Sequence, residues 1–453
     1  MKPLSKKARL GIVAVASTLV LAACGGEDDG DSDDTPSGGE SSSSAEGGES
    51  SAPPAEATGM QLYFVDGNTA NYTEDFDPGT LEGVKATYPG AELGDDFRQR
   101  LLGVDKKLKD FTYGPESYDA TIVAALAAIA AGDDSGTAVG SKMADVTGGG
   151  EKCTEFKACA DLLGAGTDID YDGVSGPIDL NSTGSPSAAT IGIFEYGADN
   201  NYAPVNFVTG QIPDASEVKP DQEIASVKPG DGKFVVGMLL PSSGDLAFLG
   251  PPEFAGVELA VKEINENGGV NGSQATSIRA DSGDGTPNIA PSETDKLLSG
   301  GADVVIGAAS SSVSLSVIDK ITQAGVAQIS PANTSTAFDS YADSGLYFRT
   351  APSDVLQGQV MASTLIEDGK QNIAILARQD SYGEALAENV RSFYEEAGGS
   401  VVSYQLYSPE AANYNAEVQA IAAEDPDAII LISFDETKKI VPALIQAGLG
   451  QGE

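Results

Sequence analysis

The segment Phe234-Val-Val-Gly-Met-Leu-Leu240 decides the fold class, together with the Pro241-Ser-Ser-Gly244 turn and the helical pattern that follow it. A short apolar run bounded by turn residues is typical of a buried β-strand. The next segment, from Pro252 to Asn267, carries apolar residues at helical spacing and ends at Gly268-Gly269, which is a helix-stop signal. The pattern therefore predicts a strand, a loop and a helix in succession, the repeating unit of an α/β sheet.

The same alternation continues to the end of the sequence. Further strands are predicted at 276–280, 303–307, 326–330, 373–377, 401–406 and 428–432, with helices before Gly300 and near 314–324, 355–367, 383–397, 413–424 and 436–447. Alternation at this spacing predicts parallel sheets with helices on both faces. Sheets of this kind bind ligands beyond the carboxyl ends of their strands.

The two ends of this pattern are complementary. The sequence stops at Gly450-Gln-Gly-Glu453, just after a predicted helix, where the alternation calls for a strand. A strand with no helix before it, Gln61-Leu-Tyr-Phe-Val65, stands near the other end. We therefore expect the 61–65 strand to lie beside the last strand of the chain, with the Pro- and charge-rich segment from Thr209 to Gly232 as a linker.

Composition excludes several classes of function. Among 453 residues there are 26 Lys and Arg against 68 Asp and Glu, a net charge of −42, which disfavours binding to nucleic acids or anionic lipid surfaces. The chain has no His, so a Ser-His-Asp triad, an imidazole base and a His-ligated zinc are impossible. We predict a binding protein with no enzymatic activity, no cofactor and no metal.

The N-terminal segment has the pattern of an export signal. Positive residues are followed by an apolar run, Leu10 to Leu21, that is too short to span a membrane. The sequence Leu21-Ala22-Ala23-Cys24-Gly25 resembles the lipobox of bacterial lipoproteins, which implies a signal peptide over 1–24 and a lipidated Cys24. An ordinary secretory signal is the alternative. Residues 25–58, rich in Gly, Ser and acidic residues, are predicted to be a disordered linker.

The two remaining cysteines are only six positions apart. Cys153 and Cys159 make an even pair in an exported chain, where thiols are oxidised. We predict a disulfide between them, since a reactive or metal-binding role has no His partner.

The acidic segment Asp168 to Asp179 follows most of the spacing of a calcium-binding EF-hand loop. Asp at the last position, Pro177 within the loop and the lack of flanking helices disfavour that interpretation.

Six short motifs carry a resemblance to a known family. They are Val236–Gly244, Glu253–Val261, Val305–Ser312, Ile329–Thr334, Asp380–Gly383 and Val65–Gly67. Together they resemble the branched-chain amino-acid (leucine/isoleucine/valine-binding) type of periplasmic substrate-binding protein of ABC transporters. The resemblance implies the type I periplasmic binding protein fold, two Rossmann-like lobes joined by three crossing strands.

The order of the halves departs from the family. Residues 232–453 resemble its amino-terminal half and residues 60–206 its carboxy-terminal half, each contributing to both lobes, with 207–231 as a linker. We interpret this order as a circular permutation. A remnant of a tandem duplication, or halves that pair between two chains, are the alternatives. One lobe is expected to hold roughly 85–175 and 232–350, with crossings near 83–87, 173–180 and 349–353.

The resemblance also assigns a ligand-binding set. The family's carboxylate site corresponds to Ser310 and Ser311 before a helix, and to Ala332 and Thr334 after the next strand. Asp66 stands where the family places an acidic partner for an ammonium group. The remaining expected cleft residues are Tyr382, Tyr118, Leu249 and Phe434.

The resulting hypothesis is a lipid-anchored receptor on the outer face of the cell membrane. It would bind a small amino acid-like solute by cleft closure and deliver it to the transmembrane subunits of an ABC permease. The alternative is a sensor for amides, urea or organic acids that signals instead of transporting.

Overall fold

The computed structural model describes residues 59–212, 219, 228–283 and 289–452. The predicted signal peptide, Cys24, the acidic linker over 25–58 and most of the linker over 207–231 lie outside these residues. No helix among the described residues has the length and apolar character needed to cross a membrane.

The described chain alternates between strands and helices, as expected. The strands are β1 (Gln61–Val65), β2 (Lys85–Pro89), β3 (Glu151–Cys153), β4 (Ile169–Gly173), β5 (Gly176–Pro177), β6 (Ala188–Tyr196), β7 (Tyr202–Gln211), β8 (Val235–Leu240), β9 (Thr276–Asp281), β10 (Val304–Gly307), β11 (Ala327–Ser330), β12 (Tyr347–Arg349), β13 (Asn372–Arg378), β14 (Ser400–Tyr407) and β15 (Ala428–Ile432). The α-helices are α1 (Asp95–Val104), α2 (Gly114–Ala131), α3 (Gly136–Gly140), α4 (Phe156–Gly164), α5 (Gly250–Glu266), α6 (Ala290–Ser299), α7 (Ser311–Gln323), α8 (Asp354–Glu367), α9 (Ser381–Glu396), α10 (Asn415–Ala422) and α11 (Thr437–Gln446).

Two large sheets define two lobes. The first lobe is built on a five-stranded parallel sheet in the order β12-β11-β10-β8-β9. The second lobe is built on a seven-stranded sheet in the order β14-β13-β15-β1-β2-β6-β7, in which β6 and β7 run antiparallel to their neighbours. The expectation of two α/β lobes is confirmed.

The central strands are buried because both faces of each sheet are covered by helices. Every residue of β10, β11 and β15 is buried, and β10 and β15 read as continuous apolar or small-residue runs. This composition distinguishes them from half-exposed strands, which alternate polar and apolar residues.

The two ends of the described chain meet at the centre of the second lobe. Strand β1 pairs in parallel with β15, with Leu62 opposite Ile429. The Gly452 N–H donates to the Met60 carbonyl at 2.7 Å, and the Leu62 N–H donates to Gln451 Oε1 at 2.8 Å. The expected adjacency of the 61–65 strand and the last strand is therefore confirmed within one chain.

Two boundaries differ from expectation. The segment 85–89, assigned by sequence to the first lobe, is β2 of the second lobe, where Ala86 pairs with Phe194. The crossing between the lobes accordingly comes after Pro89. The linker was expected to begin at 207, yet β7 continues through Gln211. An edge strand with few buried residues lacks the alternation that reveals a strand, and β7 is largely exposed.

The other two crossings are tied together by one buried arginine. Arg349, 0% exposed, donates from Nε to Ser185 Oγ at 2.8 Å and from Nη1 to the Ser335 carbonyl at 2.9 Å. Its own N–H donates to the Gly184 carbonyl at 2.9 Å, and its guanidinium pairs with Asp339. These bonds connect the segment before β6 to the end of β12.

Cys153 and Cys159 form a disulfide, with Cα atoms 5.5 Å apart. Beside it, the Lys152 ammonium lies 2.9 Å from both Asp170 and Asp172. Two carboxylates of the EF-hand-like segment are therefore paired with a side-chain cation.

Because Gly452 and Met60 are hydrogen-bonded neighbours, we predict that the two halves of the chain can be joined in the opposite order without a change of fold. A variant that starts at Lys219, runs to Glu453, continues through a Gly-Ser pair to Gly59 and ends at Ile212 should fold as a monomer. It keeps the ion pair of Lys219 with the buried Asp343. We expect its thermal midpoint to stay within about 4 °C of the original order, as for a change of about 1 kcal/mol. An aggregated or dimeric product in light scattering would contradict this arrangement.

Candidate ligand-binding cleft

The carboxyl ends of strands from both sheets border one cavity between the lobes. Its volume, counted together with the solvent-filled space at its mouth, is about 280 Å³. The lining residues are Asp66, Gly67, Tyr113, Leu246, Leu249, Ala309, Ser310, Ser311, Ala332, Tyr382 and Phe434. This is the position at which α/β sheets of this kind bind ligands.

The first lobe contributes hydroxyl groups and a helix start. Ser310 precedes α7, and its side chain makes no capping hydrogen bond. Its Oγ is buried and has no hydrogen-bond partner among the described residues. Ser311 is the first residue of α7, and its Oγ accepts from the Ser335 N–H at 3.4 Å. A helix N-terminus favours an anion, so this wall can receive a carboxylate.

The second lobe contributes a single carboxyl group. Asp66 follows β1 directly and has a left-handed backbone, with φ of 47°. It is 5% exposed, and the Tyr113 hydroxyl donates to its Oδ1. Burial raises the pKa of Asp66 to about 7, although the hydrogen bond from Tyr113 opposes this rise. Among the described residues Asp66 forms no ion pair, so this carboxylate has a hydrogen bond but no counter-ion.

Two stacked rings form the wall beside Asp66. Tyr382 and Phe434 stack with ring centroids 5.2 Å apart and planes 11° apart. The Arg378 guanidinium lies 3.5 Å from the centre of the Phe434 ring and is held by Asp380 and Glu436 at 2.6 and 2.9 Å. Phe434 is therefore fixed between a ring and a paired cation.

The Tyr382 hydroxyl connects this wall to the Asp66 loop. It donates to the Val65 carbonyl at 3.1 Å and accepts from the Gly67 N–H at 3.2 Å. Gly67 is required here because a Cβ at this position would lie 2.5 Å from the Phe434 ring.

Seven of the nine residues expected from the sequence line the cavity: Asp66, Leu249, Ser310, Ser311, Ala332, Tyr382 and Phe434. Thr334 is buried next to it, and its carbonyl accepts from the Asp354 N–H at 2.8 Å. Tyr118 is not among the described residues that line the cavity. Its hydroxyl donates to Glu263 at 2.7 Å and accepts from Arg100 at 2.9 Å within the first lobe.

The tyrosine of this segment that lines the cavity is Tyr113. It precedes α2 in a left-handed conformation, with φ of 58°, which turns it away from the helix and toward Asp66. The sequence signal was the same Tyr-rich segment, but the start of α2 decides which ring enters the cavity. Leu246, Ala309 and Gly67 were also missed, because small and aliphatic residues carry no chemical signature.

The two lobes and the polar cavity between them define a two-lobed α/β architecture with an interlobe cleft. Residues 233–453 match the family model described as periplasmic binding protein.

The curated relatives have names that resemble one another, and each matches only part of this chain. A Leu/Ile/Val-binding protein homolog 3 of Brucella melitensis is 27% identical over 43% of this chain and 52% of its own length. The leucine-, isoleucine-, valine-, threonine- and alanine-binding protein of Pseudomonas aeruginosa is 30% identical over 40% of this chain and 48% of its own. The chain thus matches about half the length of these relatives. A crystal structure of a leucine-binding protein from Thermotoga maritima aligns with a TM-score of 0.40 and 19% identity over 44% of this chain and 55% of that one.

Buried Asp66 is expected to destabilise the ligand-free protein at neutral and alkaline pH. Its folded-state pKa of about 7 exceeds the ordinary aspartate pKa of 3.8, so the unfolded chain releases this proton first as pH rises. Its contribution to stability is therefore lost progressively between about pH 4 and 7. We predict that Asp66→Asn unfolds at a higher temperature than the native chain at pH 8, and that the difference shrinks near pH 4.

Thermal unfolding at these two pH values measures the effect. The exposed Asp96→Asn is the matched control and should leave both midpoints unchanged. A lower midpoint for Asp66→Asn at pH 8 would show that its carboxylate is stabilising.

Proposed function

We propose that this protein is an extracytoplasmic receptor that binds a small amino acid by cleft closure and delivers it to an ABC importer. The observation that carries this proposal is the arrangement of two complementary ends across one cavity. Asp66 offers a carboxylate without a counter-ion on one wall, and Ser310 with the start of α7 offers hydrogen-bond donors on the other. A zwitterion pairs with both.

The energetic argument begins with Asp66. A buried carboxylate without a counter-ion is costly, and the raised pKa expresses that cost. A ligand ammonium supplies the missing charge in a low-dielectric site, where the attraction is strong. Ligand binding then offsets the free energy that burial of this unpaired carboxylate costs in the empty cleft.

The apolar residues that line the cavity favour a ligand with an apolar side chain. Leu246, Leu249 and Ala332 face the space between the two polar ends, together with the Phe434 ring. The names of the curated relatives, which bind Leu, Ile and Val, support the same class of ligand.

Delivery to a membrane permease requires the receptor to stay near the membrane, and we assign this role to the N-terminal region. In that reading the signal peptide over 1–24 leaves a lipidated Cys24, and residues 25–58 tether the receptor to the outer face of the membrane. Transport rather than signalling is supported by the family relationship of residues 233–453.

The exchanged order of the halves is explained by a circular permutation. Its support is the close approach of Gly452 to Met60, since chain ends that are neighbours can be rejoined without changing the fold. In this reading the permuted chain closes one complete cleft by itself.

A second candidate function is favoured by the pKa of Asp66. At neutral pH this carboxyl group is protonated in a large fraction of molecules, and a neutral carboxylic acid can donate to an amide or urea carbonyl. A sensor for such neutral ligands would use the same cavity.

Removal of the Asp66 charge should abolish tight amino-acid binding. We predict that Asp66→Asn lowers the affinity for L-leucine or L-valine by about 2 kcal/mol or more at pH 8, because the ammonium loses its only carboxylate partner in the cavity. Titration calorimetry measures the change, with Asp96→Asn as the control. Equal affinity in both variants would remove Asp66 from the binding site.

The pH dependence distinguishes an amino acid from an amide. An ammonium binds the ionised form of Asp66, so affinity for amino acids should rise about tenfold per pH unit below pH 7 and level off above it. An amide that needs the protonated form should bind more weakly above pH 7. A thermal-shift panel of amino acids, acetamide, urea and succinate at pH 6 and 8 reads both trends. Stabilisation by acetamide alone would favour the sensor.

A further inference from the structure

A second and larger cavity lies between the lobes, on the far side of Tyr88 and Tyr113. Its empty volume is about 1070 Å³. The Tyr88 hydroxyl accepts from the Tyr113 N–H at 2.8 Å, and the two rings meet edge to face, so they form a partition between this space and the first cavity. Tyr113 lines the first cavity and Tyr88 lines the second.

One wall of the second cavity is aromatic and belongs to the second lobe. The Phe194 ring lies 6.3 Å from Tyr88, 5.4 Å from Tyr202 and 6.0 Å from Phe207, measured between ring centroids. All three contacts are edge to face, and all four rings line the second cavity.

The opposite wall belongs to the first lobe and carries a cation without an acidic partner. Arg98 of α1 places its guanidinium 4.6 Å from the centre of the Phe111 ring. The five other arginines among the described residues each form an ion pair, whereas Arg98 forms none there. In a chain with 68 acidic and 26 basic residues, an arginine without a carboxylate is unexpected.

The acidic groups around this cavity are uncharged, hydrogen-bonded or exposed, so they do not prevent the binding of an anion. Glu116 lines it, but burial raises the pKa of Glu116 to about 8, so this group is largely uncharged at neutral pH. Asp110 directs Oδ1 to the N–H and hydroxyl of Thr112, at 2.8 and 2.5 Å. Glu92 is exposed, and the exposed Lys109 at the same cavity lies 3.8 Å from Glu74.

We propose that this second cavity is a binding site for a small aromatic carboxylate. The Arg98 guanidinium matches the planar fork of a carboxylate, and the rings around Phe194 accept the aromatic body of the ligand. Because its walls come from both lobes, a ligand here would contact each of them. This site is separate from the amino-acid cleft and does not depend on its function.

Indole-3-acetate is a suitable probe, because the chain contains no Trp and indole fluorescence therefore belongs to the ligand alone. We expect saturable binding to the native chain in a fluorescence anisotropy titration. Arg98→Met, which keeps an unbranched apolar stem and removes the charge, should weaken binding by about tenfold or more.

Arg391→Met is the matched control. Arg391 also lies over an aromatic ring, 4.9 Å from the centre of Tyr404, but it is paired with Glu388 and borders neither cavity. Its replacement should leave the affinity unchanged. A second measurement on the native chain uses indole-3-acetamide, which lacks the charge and should bind about tenfold more weakly.

Three results would overturn the assignment. They are no binding of indole-3-acetate by the folded native chain, equal binding by the native and Arg98→Met chains, or equal binding of the acetate and the acetamide.

Discussion

The parallel pairing of β1 with β15 is the constraint on which the candidate site depends. It places the start of the described chain at the centre of a sheet whose other parallel strands come mostly from the far end of the sequence. Asp66 follows β1 directly, so this pairing sets the position of the only acidic residue among the described residues that line the first cavity. Without it, the hydroxyl groups and helix start at Ser310 and Ser311 would have no opposing charge.

The cost of burying Asp66 connects stability to ligand choice. Tyr113 offsets part of this cost through a neutral hydrogen bond, and no cationic side chain of the described residues offsets the rest. Around it, Tyr382 and Phe434 are fixed by stacking and by the paired Arg378. A rigid wall with one incompletely compensated carboxyl group is preorganised for a cation of the right size.

Much of this fold could be predicted from the sequence, because its central strands are apolar runs separated by helical patterns. The pairing of the 61–65 strand with the last strand followed from that alternation alone. Strand β7 could not be recognised, since its exposed residues, such as Val205 at 59% exposure, show no buried face. Seven of the residues that the family resemblance implied for the site line the first cavity.

Features set by tertiary contacts escaped prediction. Tyr113 rather than Tyr118 enters the cavity because α2 begins at Gly114, a boundary fixed by local backbone conformation. The pKa of Asp66 depends on burial between two lobes, and no sequence motif reports that quantity. The second cavity brings together Arg98 and Phe194, which are distant in sequence and belong to different lobes.

The central claim is that one cavity holds both charged ends of the same small molecule. The most direct measurement is titration calorimetry of L-valine, N-acetyl-L-valine and isobutylamine against the full chain at pH 8. The first ligand has both charges, the second lacks the ammonium and the third lacks the carboxylate. The account predicts that only L-valine binds tightly, and N-acetyl-L-valine binding as tightly as L-valine would contradict it.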